Sequence, residues 1–493
     1  MPLPAALYST AQVRALDKYA IEALGITGYT LMTRAGEAAL RCLRMRWPAI
    51  RSIAIVCGGG NNGGDGYVLA RLAQAAGLTV RVLAATPEEK LRGEARRAYE
   101  DFKASGADAQ PFGTDALADT ELIVDALLGT GLQDCVRGAV AQAIHAINSA
   151  GKPVFALDVP SGLDSDTGLA RNEAVRAHST VTFVGVKMGL VLGDAPALAG
   201  AVFFDDLGIT APPTEQFVPR LTRILETEIT AALPYRSRAA HKGVFGRVLV
   251  VGSGTGMPGA TRLAGEACLR VGAGLVTVAV APENIPAIAA GRPELICVPL
   301  SDARSLSEVI ERMDVIAVGP GLGQSAWARE ALNAVLASDK DLVIDADALN
   351  LLASQQTPRP RPRTILTPHP GEAARLLGVS TEEIQSDRLA ALEALVMRYD
   401  CMVVLKGAGT LVGAPQRTPG ICDRGNPGMA TAGTGDVLTG AIAGVLAQCR
   451  DPWLAARVGV LVHALAGDSV ARSGERGLLA SDVARELRTC VNP

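Results

Sequence analysis

The chain has 493 residues, more than one hydrophobic core normally organises, so its length predicts roughly two to four domains. Hydrophobic residues make up 48% of the chain, charged residues make up 20%, and the formal net charge at pH 7 is −3. This composition supports sizeable buried cores, and it excludes the strongly basic surface with which proteins bind nucleic acid or anionic membranes.

The cysteines and the first residues of the chain indicate where the protein works. The nine cysteines are scattered, without CxxC pairs, which predicts reduced thiols rather than a disulfide framework or a zinc finger. The first 19 residues include Arg14, Asp17 and Lys18 and contain no continuous apolar run, so we do not expect a signal peptide. We therefore expect a cytoplasmic protein without a membrane partner.

Strands alternate with helices through the first half of the chain. Helices are predicted over residues 10–25, 31–47 and 88–105, and strands over residues 52–56, 79–84, 121–125, 153–157, 179–184 and 201–204. Alternation of this kind predicts a mostly parallel sheet, whose ligands bind beyond the carboxyl ends of the strands.

A glycine-rich turn follows the first of these strands. It reads Gly60-Asn-Asn-Gly-Gly-Asp-Gly66 and leads into a helix. A strand, a glycine-rich turn and a helix in this order form the context in which a loop cradles phosphate. The asparagines and the aspartate also offer oxygens and amides to a ligand or a cation. A tight turn with only a structural role is the alternative interpretation.

Polar residues also follow the later strands of this half, at the same predicted edge of the sheet. Asn62, Asp125 and Ser161 would supply hard oxygen ligands of low total charge, which suit a monovalent or other hard cation better than zinc or copper. Asp158 and Lys187 remain as an acid–base pair. Each of these residues could instead be structural, as an acid that caps a turn or a lysine on the surface.

A proline-rich stretch interrupts the alternation at residues 205–240 and places a domain boundary near residue 220. The predicted domains are therefore residues 1–220 and 221–493. In the second domain, strands are predicted over residues 246–251, 275–280, 315–318, 342–344, 364–366 and 402–405. Each strand is followed by glycines or polar residues, so this domain is also predicted to be α/β.

Three features of the second half indicate a nucleotide and its substrate. Lys406-Gly-Ala-Gly-Thr410 combines a cation, two glycines and a hydroxyl, but it lacks Walker A spacing, which excludes a P-loop NTPase. Gly433-Thr-Gly-Asp436 precedes a long apolar run, so Asp436 is predicted at a helix N-terminus, where anions bind. His369 stands between two prolines on a stiffened strand-end turn, which favours a role in binding.

An acid beside a bound phosphate is typical of a group that accepts a proton from an attacking hydroxyl. Two alternatives stay open for the apolar run that begins near Asp436. It could be a buried helix that Asp436 merely caps, or, less well, a membrane span.

In their order along the chain, these motifs resemble those of the bifunctional NAD(P)H-hydrate repair enzymes, in which an epimerase is fused to an ADP-dependent dehydratase. The resemblance covers nearly the whole chain. Its motifs are Gly60–Gly66, Asp125, Gly129–Leu132, Asp158–Gly162, Pro258–Ala260, Gly319–Gly323, Asp345–Leu349, Thr367–Glu372, Lys406–Gly407 and Gly433–Asp436. The resemblance implies an α/β protein, with an N-terminal Rossmann-like α/β/α domain followed by a ribokinase-like α/β domain.

For the first domain, the resemblance implies interconversion of the R and S hydrates of NADH and NADPH. It also implies a potassium ion at Asn62, Asp125 and Ser161, and proton transfer by Asp158, with Lys187 as a second candidate. The contacts that it implies to the hydrated dinucleotide are Asp158, Asn61, Asn62, Gly63, Gly64, Asp65, Gly129, Thr130, Gly131, Leu132, Gln133, Asp134 and Cys135.

For the second domain, the resemblance implies dehydration of the S hydrate. Asp436 would deprotonate or orient the ring hydroxyl, and phosphoryl transfer from ADP would turn it into a phosphate leaving group. Elimination would restore the reduced cofactor and leave AMP and phosphate, with a magnesium ion on the phosphates. The implied nucleotide contacts are Lys406, Gly407, Ala408, Gly409, Thr410 and Gly435, and the implied hydrate contacts are Ala260, Gly321, His369 and Asp436.

Two other functions fit parts of the sequence. A ribokinase-like kinase of a small alcohol, with the first half as a regulator, would release a stable phosphorylated product, but the dense polar motifs of the first half disfavour it. A binding module without turnover would not need Asp158 and Lys187, and both are present. We therefore predict a repair enzyme that acts on small molecules and forms a homo-oligomer, with the choice between ADP and ATP left open.

Overall fold

The computed structural model describes residues 3–131, 134–209, 217–300, 302–354 and 358–492. Leu132 and Gln133, two of the predicted hydrate contacts, lie outside these residues. The chain forms two compact units, Met1–Leu221 and Thr222–Pro493.

The first unit is built on a parallel sheet. Its strands are β1 (Ala6–Leu7), β2 (Ser52–Cys57), β3 (Thr79–Ala84), β4 (Gln110–Pro111), β5 (Leu122–Ala126), β6 (Val154–Leu157), β7 (Ser179–Phe183) and β8 (Ala201–Asp205). Its helices are α1 (Thr10–Glu22), α2 (Gly28–Arg46), α3 (Asn61–Ala75), α4 (Gly93–Ala104), α5 (Gly138–Ser149) and α6 (Ala195–Leu198). The parallel sheet has the order β4-β3-β2-β5-β6-β7-β8.

Both faces of this sheet are buried. Alternate residues of a pleated strand face opposite sides. In β2, Ile53 and Ile55 therefore pack with α2, α3 and α4, whereas Ala54 and Val56 pack with α5. Helices on both faces explain why the parallel strands are nearly continuous apolar runs in the sequence.

One predicted helix of this unit, residues 88–105, proves to be two elements. A short 3₁₀ helix covers Glu88–Lys90, and α4 follows at Gly93. Leu91 between them is extended, with φ −67° and ψ 141°, and its side chain is buried. Burial of this apolar side chain outweighs the helix propensity of the charged residues around it, which the periodicity alone could not show.

The second unit is a larger α/β domain. Its strands, including β9 at the boundary, are β9 (Leu221–Arg223), β10 (Arg247–Val251), β11 (Leu275–Val280), β12 (Ile296–Pro299), β13 (Val315–Val318), β14 (Asp341–Ile344), β15 (Thr364–Leu366), β16 (Met402–Leu405), β17 (Thr410–Gly413) and β18 (Gly420–Cys422). Its helices are α7 (Thr227–Ala232), α8 (Pro258–Arg270), α9 (Ile285–Gly291), α10 (Ala303–Ile310), α11 (Ala326–Ala337), α12 (Ala346–Ala353), α13 (Pro370–Leu377), α14 (Thr381–Ser386), α15 (Arg388–Tyr399), α16 (Thr434–Cys449), α17 (Pro452–Ala471) and α18 (Ala480–Cys490).

The sheet of the second unit has the order β9-β18-β17-β16-β15-β14-β13-β10-β11-β12. Neighbouring strands from β12 to β16 are parallel, whereas β16, β17 and β18 pair antiparallel in succession. The carboxyl ends of the parallel strands therefore lie along one edge. The N-terminus of α16 lies near this edge, since a Cβ added at Gly435 would be 4.0 Å from Asp345 Oδ2, just beyond β14.

The long apolar helices of this unit lie in its core. Every residue of α16 from Val437 to Ala447 is buried. α17 is long and apolar enough to cross a membrane, but 67% of its most apolar window is buried inside the protein. Burial of this extent is typical of a core helix, so neither helix supports the alternative of a membrane span.

Candidate active sites

In the first unit, the predicted potassium ligands come together at the carboxyl edge of the sheet. Ser161 donates hydrogen bonds from Oγ and from its backbone N–H to the two carboxylate oxygens of Asp125, at 2.6 and 2.8 Å. Asn62 Nδ2 donates to Leu128 O at 2.8 Å, and Leu128 N–H donates to Ser161 Oγ at 2.8 Å. The loop after β5 therefore ties the three predicted ligands together.

One oxygen of this group lacks a partner. Asn62 Oδ1 is buried without a hydrogen bond to any residue that the structure describes. Buried side-chain oxygens normally have a partner, so this atom is a candidate cation ligand. Burial raises the pKa of the neighbouring Asp125 to about 6, although its hydrogen bonds with Ser161 oppose the rise.

Asp158 and Lys187 form a buried ion pair beside this group. Lys187 Nζ contacts Asp158 Oδ1 and also donates to Phe183 O at 2.8 Å and to Thr182 Oγ1 at 3.2 Å. The three donors of the ammonium are thus satisfied, although the Lys187 side chain is only 2% exposed. Asp158 has a φ of +63°, in the left-handed region, and strained backbone of this kind collects at functional sites.

The start of α3 and the loop after β5 lie beside this pair. A Cβ added at Gly129 would lie 3.2 Å from Asp158 Oδ2 and 3.4 Å from Asn62 Cβ, so the three predicted residues are neighbours. By contrast, Asp134 and Cys135 are exposed, and within the described ranges no side-chain hydrogen bond or ion pair joins them to the site. Their predicted contacts stay predictions.

The predicted glycine-rich turn, Gly60–Gly66, proves to be the start of α3, because the helix already begins at Asn61. Its glycines also serve packing. A Cβ at Gly63 would lie 2.1 Å from Gly58 O, and one at Gly64 would lie 2.5 Å from Met32 Cε. These two glycines therefore have a structural role, which is close packing at the start of α3. Gly60 caps α3 without a side-chain hydrogen bond, which leaves the first N–H groups of α3, from Asn61 onward, available to an anion.

In the second unit, Asp436 is the third residue of α16. The N-cap is Gly433, which has a φ of +90° and no side-chain capping bond, so Asp436 does not cap the helix. A Cβ at Gly435 would lie 3.5 Å from Lys406 Nζ, which places the predicted nucleotide lysine at this helix start. The interpretation of Asp436 as a simple cap is therefore disfavoured.

A buried ion pair stands beside the helix start. Lys406 Nζ donates to Asp345 Oδ1 at 2.6 Å, and Thr439 Oγ1 of α16 donates to Asp345 Oδ2 at 2.7 Å. Glu372 Oε2 lies 3.8 Å from Lys406 Nζ. Burial lowers the pKa of Lys406, but the charges of Asp345, Glu372 and Asp436 outweigh burial and raise it above its usual range. Lys406 is therefore a fixed positive charge at neutral pH.

Burial is also the largest influence on the pKa of Asp436, but for an acid its effect is to raise the pKa. Burial raises its pKa to about 7, with a further rise from the charges of Asp345 and Asp347 and an opposing effect of Lys406. A carboxyl group with this pKa exchanges its proton readily at neutral pH, which is the property of a general base. Perturbed groups of this kind cluster at functional sites.

The two small residues predicted to contact the hydrate lie side by side. A Cβ at Gly321 would be 3.1 Å from Ala260 Cβ, and Gly321 has a φ of +62°. Gly254 N–H donates to Gly321 O at 2.8 Å, so the turn before α8 is fixed against the loop after β13. Gly321 therefore packs closely against Ala260 near the ends of β10 and β13.

His369 has a clear structural role as the N-cap of α13. Its Nδ1 accepts from Gly371 N–H at 3.0 Å and from Glu372 N–H at 3.3 Å, while its own N–H donates to Glu372 Oε2 at 2.8 Å. Burial and the charges of Lys406 and Arg375 lower the pKa of His369, so the ring is neutral at pH 7. Its contact with the hydrate stays a prediction.

Comparison with known proteins identifies the family. Residues 28–189 match the family described as YjeF-related protein N-terminus, and residues 248–489 match the family described as NAD(P)H-hydrate dehydratase. The chain is 48% identical over 492 residues to the bifunctional NAD(P)H-hydrate repair enzyme Nnr of Coxiella burnetii, covering 99% of each chain. It is 43% identical over 492 residues to the Escherichia coli K12 enzyme of that name, covering 100% of this chain and 95% of the relative.

The chain belongs to the family of bifunctional NAD(P)H-hydrate repair enzymes. A solved structure of a ribokinase-like superfamily protein from Enterococcus faecalis V583 is also similar, with 32% identity and a TM-score of 0.52 over 55% of this chain and 95% of that one. Together with the parallel sheets, these findings confirm the predicted fold, a Rossmann-like domain followed by a ribokinase-like domain.

Sequence analysis of this repair enzyme did not predict one acid, Asp17, that lies near the candidate site of the first unit. Asp17 of α1 is half-buried, and burial raises its pKa to about 6, opposed by Lys187 and reinforced by Asp158. Burial and the Asp158 charge also raise the pKa of Asp65, which was predicted. An isolated acid in an amphipathic helix gives no local signal of such a neighbourhood.

α1 reaches the site because the start of the chain pairs with the segment around Lys187. Tyr8 N–H donates to Val186 O, and Met188 N–H donates to Tyr8 O, both at 2.9 Å. Arg14, three residues before Asp17, donates to Thr130 O at 3.0 Å. These contacts join residues more than 100 positions apart, which periodicity cannot reveal.

Sequence analysis also did not predict that α17 supports the loop that leads to Asp436 at the start of α16. Asp468 accepts hydrogen bonds from Gly425 N–H at 3.1 Å and from Asn426 Nδ2 at 3.0 Å. A Cβ at Gly467 would lie 2.2 Å from Met429 Sδ, so the loop before α16 rests closely on this glycine.

A cavity of about 1060 Å³ in the second unit contains none of the predicted site residues. It is lined by residues that include Arg236, Glu266, Arg270 and Arg292. The predicted site residues of the second unit therefore lie outside this cavity.

Proposed function

We propose that this chain repairs hydrated NADH and NADPH, with the epimerase in residues 1–220 and the ADP-dependent dehydratase in residues 221–493. Family membership supports the pair of activities. The single observation that carries the dehydratase is Asp436, which has a pKa of about 7 and stands at the start of α16 beside Lys406. It provides a base next to an anion-binding helix end.

In the dehydratase, the phosphates of ADP would bind at the start of α16, where free N–H groups and Lys406 supply positive charge. Asp436 accepts the proton of the ring hydroxyl while that oxygen attacks the terminal phosphorus of ADP, and AMP departs. The carbon–oxygen bond then breaks with electrons from the ring nitrogen, releasing phosphate, and loss of a proton from the adjacent carbon restores the reduced ring. A magnesium ion on the phosphates would neutralise their charge.

The hydrated nicotinamide would lie near Ala260, Gly321 and His369. The two small residues lie side by side near the ends of two neighbouring strands. The neutral His369 ring uses Nδ1 within its own helix cap. Its Nε2, which lies 3.5 Å from Glu372 Oε1, is the ring nitrogen that would donate to the substrate.

In the epimerase, Asp158 would transfer the proton and Lys187 would hold its carboxylate in place. Asn62, Asp125 and Ser161 fit a potassium ion, because Asn62 Oδ1 is a buried oxygen without a partner and the set carries a single acid. Potassium would supply positive charge that helps to orient the substrate. Asn61 to Asp65 and Gly129 to Cys135 would contact the dinucleotide.

We also propose ADP rather than ATP as the phosphoryl donor, a homo-oligomeric assembly and a cytoplasmic location. The resemblance to the repair enzymes supports the donor, the extensive apolar composition supports assembly, and the scattered free cysteines support a reducing compartment.

The decisive experiment compares wild-type protein with Asp436→Asn, supplied with S-form NADH hydrate, ADP and magnesium. We expect the wild type to restore the near-ultraviolet absorbance of NADH with matching release of AMP, and the variant to lose about 10²- to 10⁴-fold in kcat because it lacks the base. Asp339→Asn, at a side chain that is 82% exposed in the same unit, is the matched control.

If the Asp436→Asn variant has the same kcat as the wild type, Asp436 is not the base. Accumulation of a stable phosphorylated product without NADH would favour the kinase of a small alcohol instead.

A further inference from the structure

The loop at Lys406–Thr410, which we call the nucleotide loop, is built around an arginine that the proposed mechanism does not use. Arg388 is the first residue of α15, and it is only 8% exposed. Its Nη2 lies 3.2 Å from Leu405 O, 3.3 Å from Lys406 O and 3.4 Å from Gly409 O. Three carbonyl groups in and beside this loop therefore converge on one guanidinium.

The glycines of the nucleotide loop permit this arrangement. Gly407 has a φ of +142°, and a Cβ there would lie 2.3 Å from Arg388 Nη1. Gly409 is also left-handed, with a φ of +64°. Any side chain at Gly407 would displace the guanidinium, so the glycine is required by the arginine behind the loop as well as by a ligand in front of it.

The carbonyl directions also set the directions of the amide groups. In a trans peptide the C=O and the following N–H point in opposite directions, so the Lys406 carbonyl that faces Arg388 turns the Gly407 N–H away from it. Among the residues that the structure describes, none accepts a hydrogen bond from the N–H of Gly407, Ala408 or Gly409. Consecutive free N–H groups of this kind form an anion-binding nest.

The charge of Arg388 has no carboxylate partner among the described residues. The other buried arginine of this unit, Arg457, forms a two-pronged pair with Glu228 at 2.6 and 2.7 Å. Burial lowers the pKa of Arg388 to about 10, which still leaves it protonated at pH 7, and its Nε is buried without a partner. A buried charge without a counterion is costly, and a bound anion would offset that cost.

We propose that Arg388 is a positioning residue of the nucleotide site, which holds the nucleotide loop with its N–H groups toward the phosphates and selects nucleotides by phosphate charge. The inference rests on the proposed nucleotide role of this loop. It assigns part of the preference for a nucleoside diphosphate to a side chain behind the loop. The effect of Arg388 should therefore grow with the number of phosphates on the ligand.

The test measures the dissociation constants of ADP, AMP and adenosine by calorimetry on the full-length protein with magnesium. For Arg388→Met we expect weakening of about tenfold for ADP and about threefold for AMP, and less than about twofold for adenosine, because the lost charge acts on the phosphates. Arg388→Lys, which keeps the charge, should recover much of the ADP affinity. Arg398→Met, an exposed arginine of the same helix, should bind all three ligands as the wild type does.

A dissociation constant for ADP within twofold of the wild type in Arg388→Met would overturn the proposal. Equal weakening of all three ligands would also overturn it, because a general distortion of the site has that effect. If Arg388→Met does not fold, Arg388→Gln replaces it, since its amide can still donate to the loop, and the ratio of ADP to adenosine affinity decides in the same way. Wild-type protein that binds ADP but does not dehydrate the hydrate would contradict the proposed function and leave this comparison intact.

Discussion

Asp158 and Asp436 are both acids near the carboxyl edge of a parallel sheet, but their surroundings differ. Asp158 is held by the ammonium of Lys187. Asp436 forms no ion pair with any residue that the structure describes, and it lies in the field of two further acids, Asp345 and Asp347. Environments that differ in this way assign different roles to the same side chain.

The raised pKa of Asp436 predicts the pH dependence of the dehydratase. The group must be ionised to accept a proton, so kcat/KM should fall about tenfold for each unit of pH below about 7 and reach a plateau above it. Initial rates with S-form hydrate between about pH 6 and 8.5 would show this limb, with circular dichroism to confirm that the protein stays folded. A flat profile down to pH 6 would contradict the assignment of Asp436 as the base.

Single residues were predictable from the sequence where a local pattern marks them. Asp436 is marked by the glycines before it and the apolar run after it, and Asn62 by the density of polar residues among glycines. Asp17, Arg388 and Asp468 carry no such mark, because each acts on a segment that is distant in the sequence. Their importance comes from tertiary contacts.

At the scale of elements, six parallel strands of the second unit, β10, β11 and β13 to β16, were predicted within one residue at each end. Buried strands of this kind are short runs of apolar residues bounded by glycine and polar turns. The antiparallel strands β17 and β18, the short strand β9 and the edge strand β12 were not predicted. β17 and β18 each contain a glycine, which weakens the apolar pattern that marks the buried strands. The edge strand β12 has partly exposed side chains and resembles a loop in composition.

The proposed potassium ligands come from three elements, with Asn62 in α3, Asp125 in β5 and Ser161 after β6. We therefore predict that the epimerase depends on potassium. Replacing potassium by tetramethylammonium at constant ionic strength should slow conversion of R-form hydrate about fivefold or more, and potassium should raise the unfolding temperature, because an ion that binds only the folded state stabilises it. Asn62→Ala should lose both responses, since it removes the buried oxygen that lacks a partner.

The neighbouring Asn61→Ala variant is the control for this prediction, because Asn61 is exposed and belongs to the same first turn of α3. Its rate could change through the hydrate, but its dependence on potassium concentration should match that of the wild type. An unchanged potassium response in Asn62→Ala would exclude Asn62 as a ligand.

At the scale of the whole molecule, the chain consists of two units that each have their own sheet and their own hydrophobic core. The residues proposed for epimerisation all belong to the first unit, and those proposed for dehydration all belong to the second. Neither set borrows a residue from the other unit. The two activities should therefore be separable by mutation in the full-length protein.

A mixture of two inactive variants tests this independence. With R and S hydrates, ADP and magnesium, Asp436→Asn should recover no NADH, and Asp158→Asn should recover the S form quickly and the R form only at the rate of spontaneous epimerisation. An equimolar mixture should recover both forms at about half the rate of the same total amount of wild type, because the S hydrate diffuses freely between molecules. Wild type at half concentration is the control. A mixture that recovers only the NADH expected from the S hydrate would show that epimerised hydrate must pass from one site to the other within one chain.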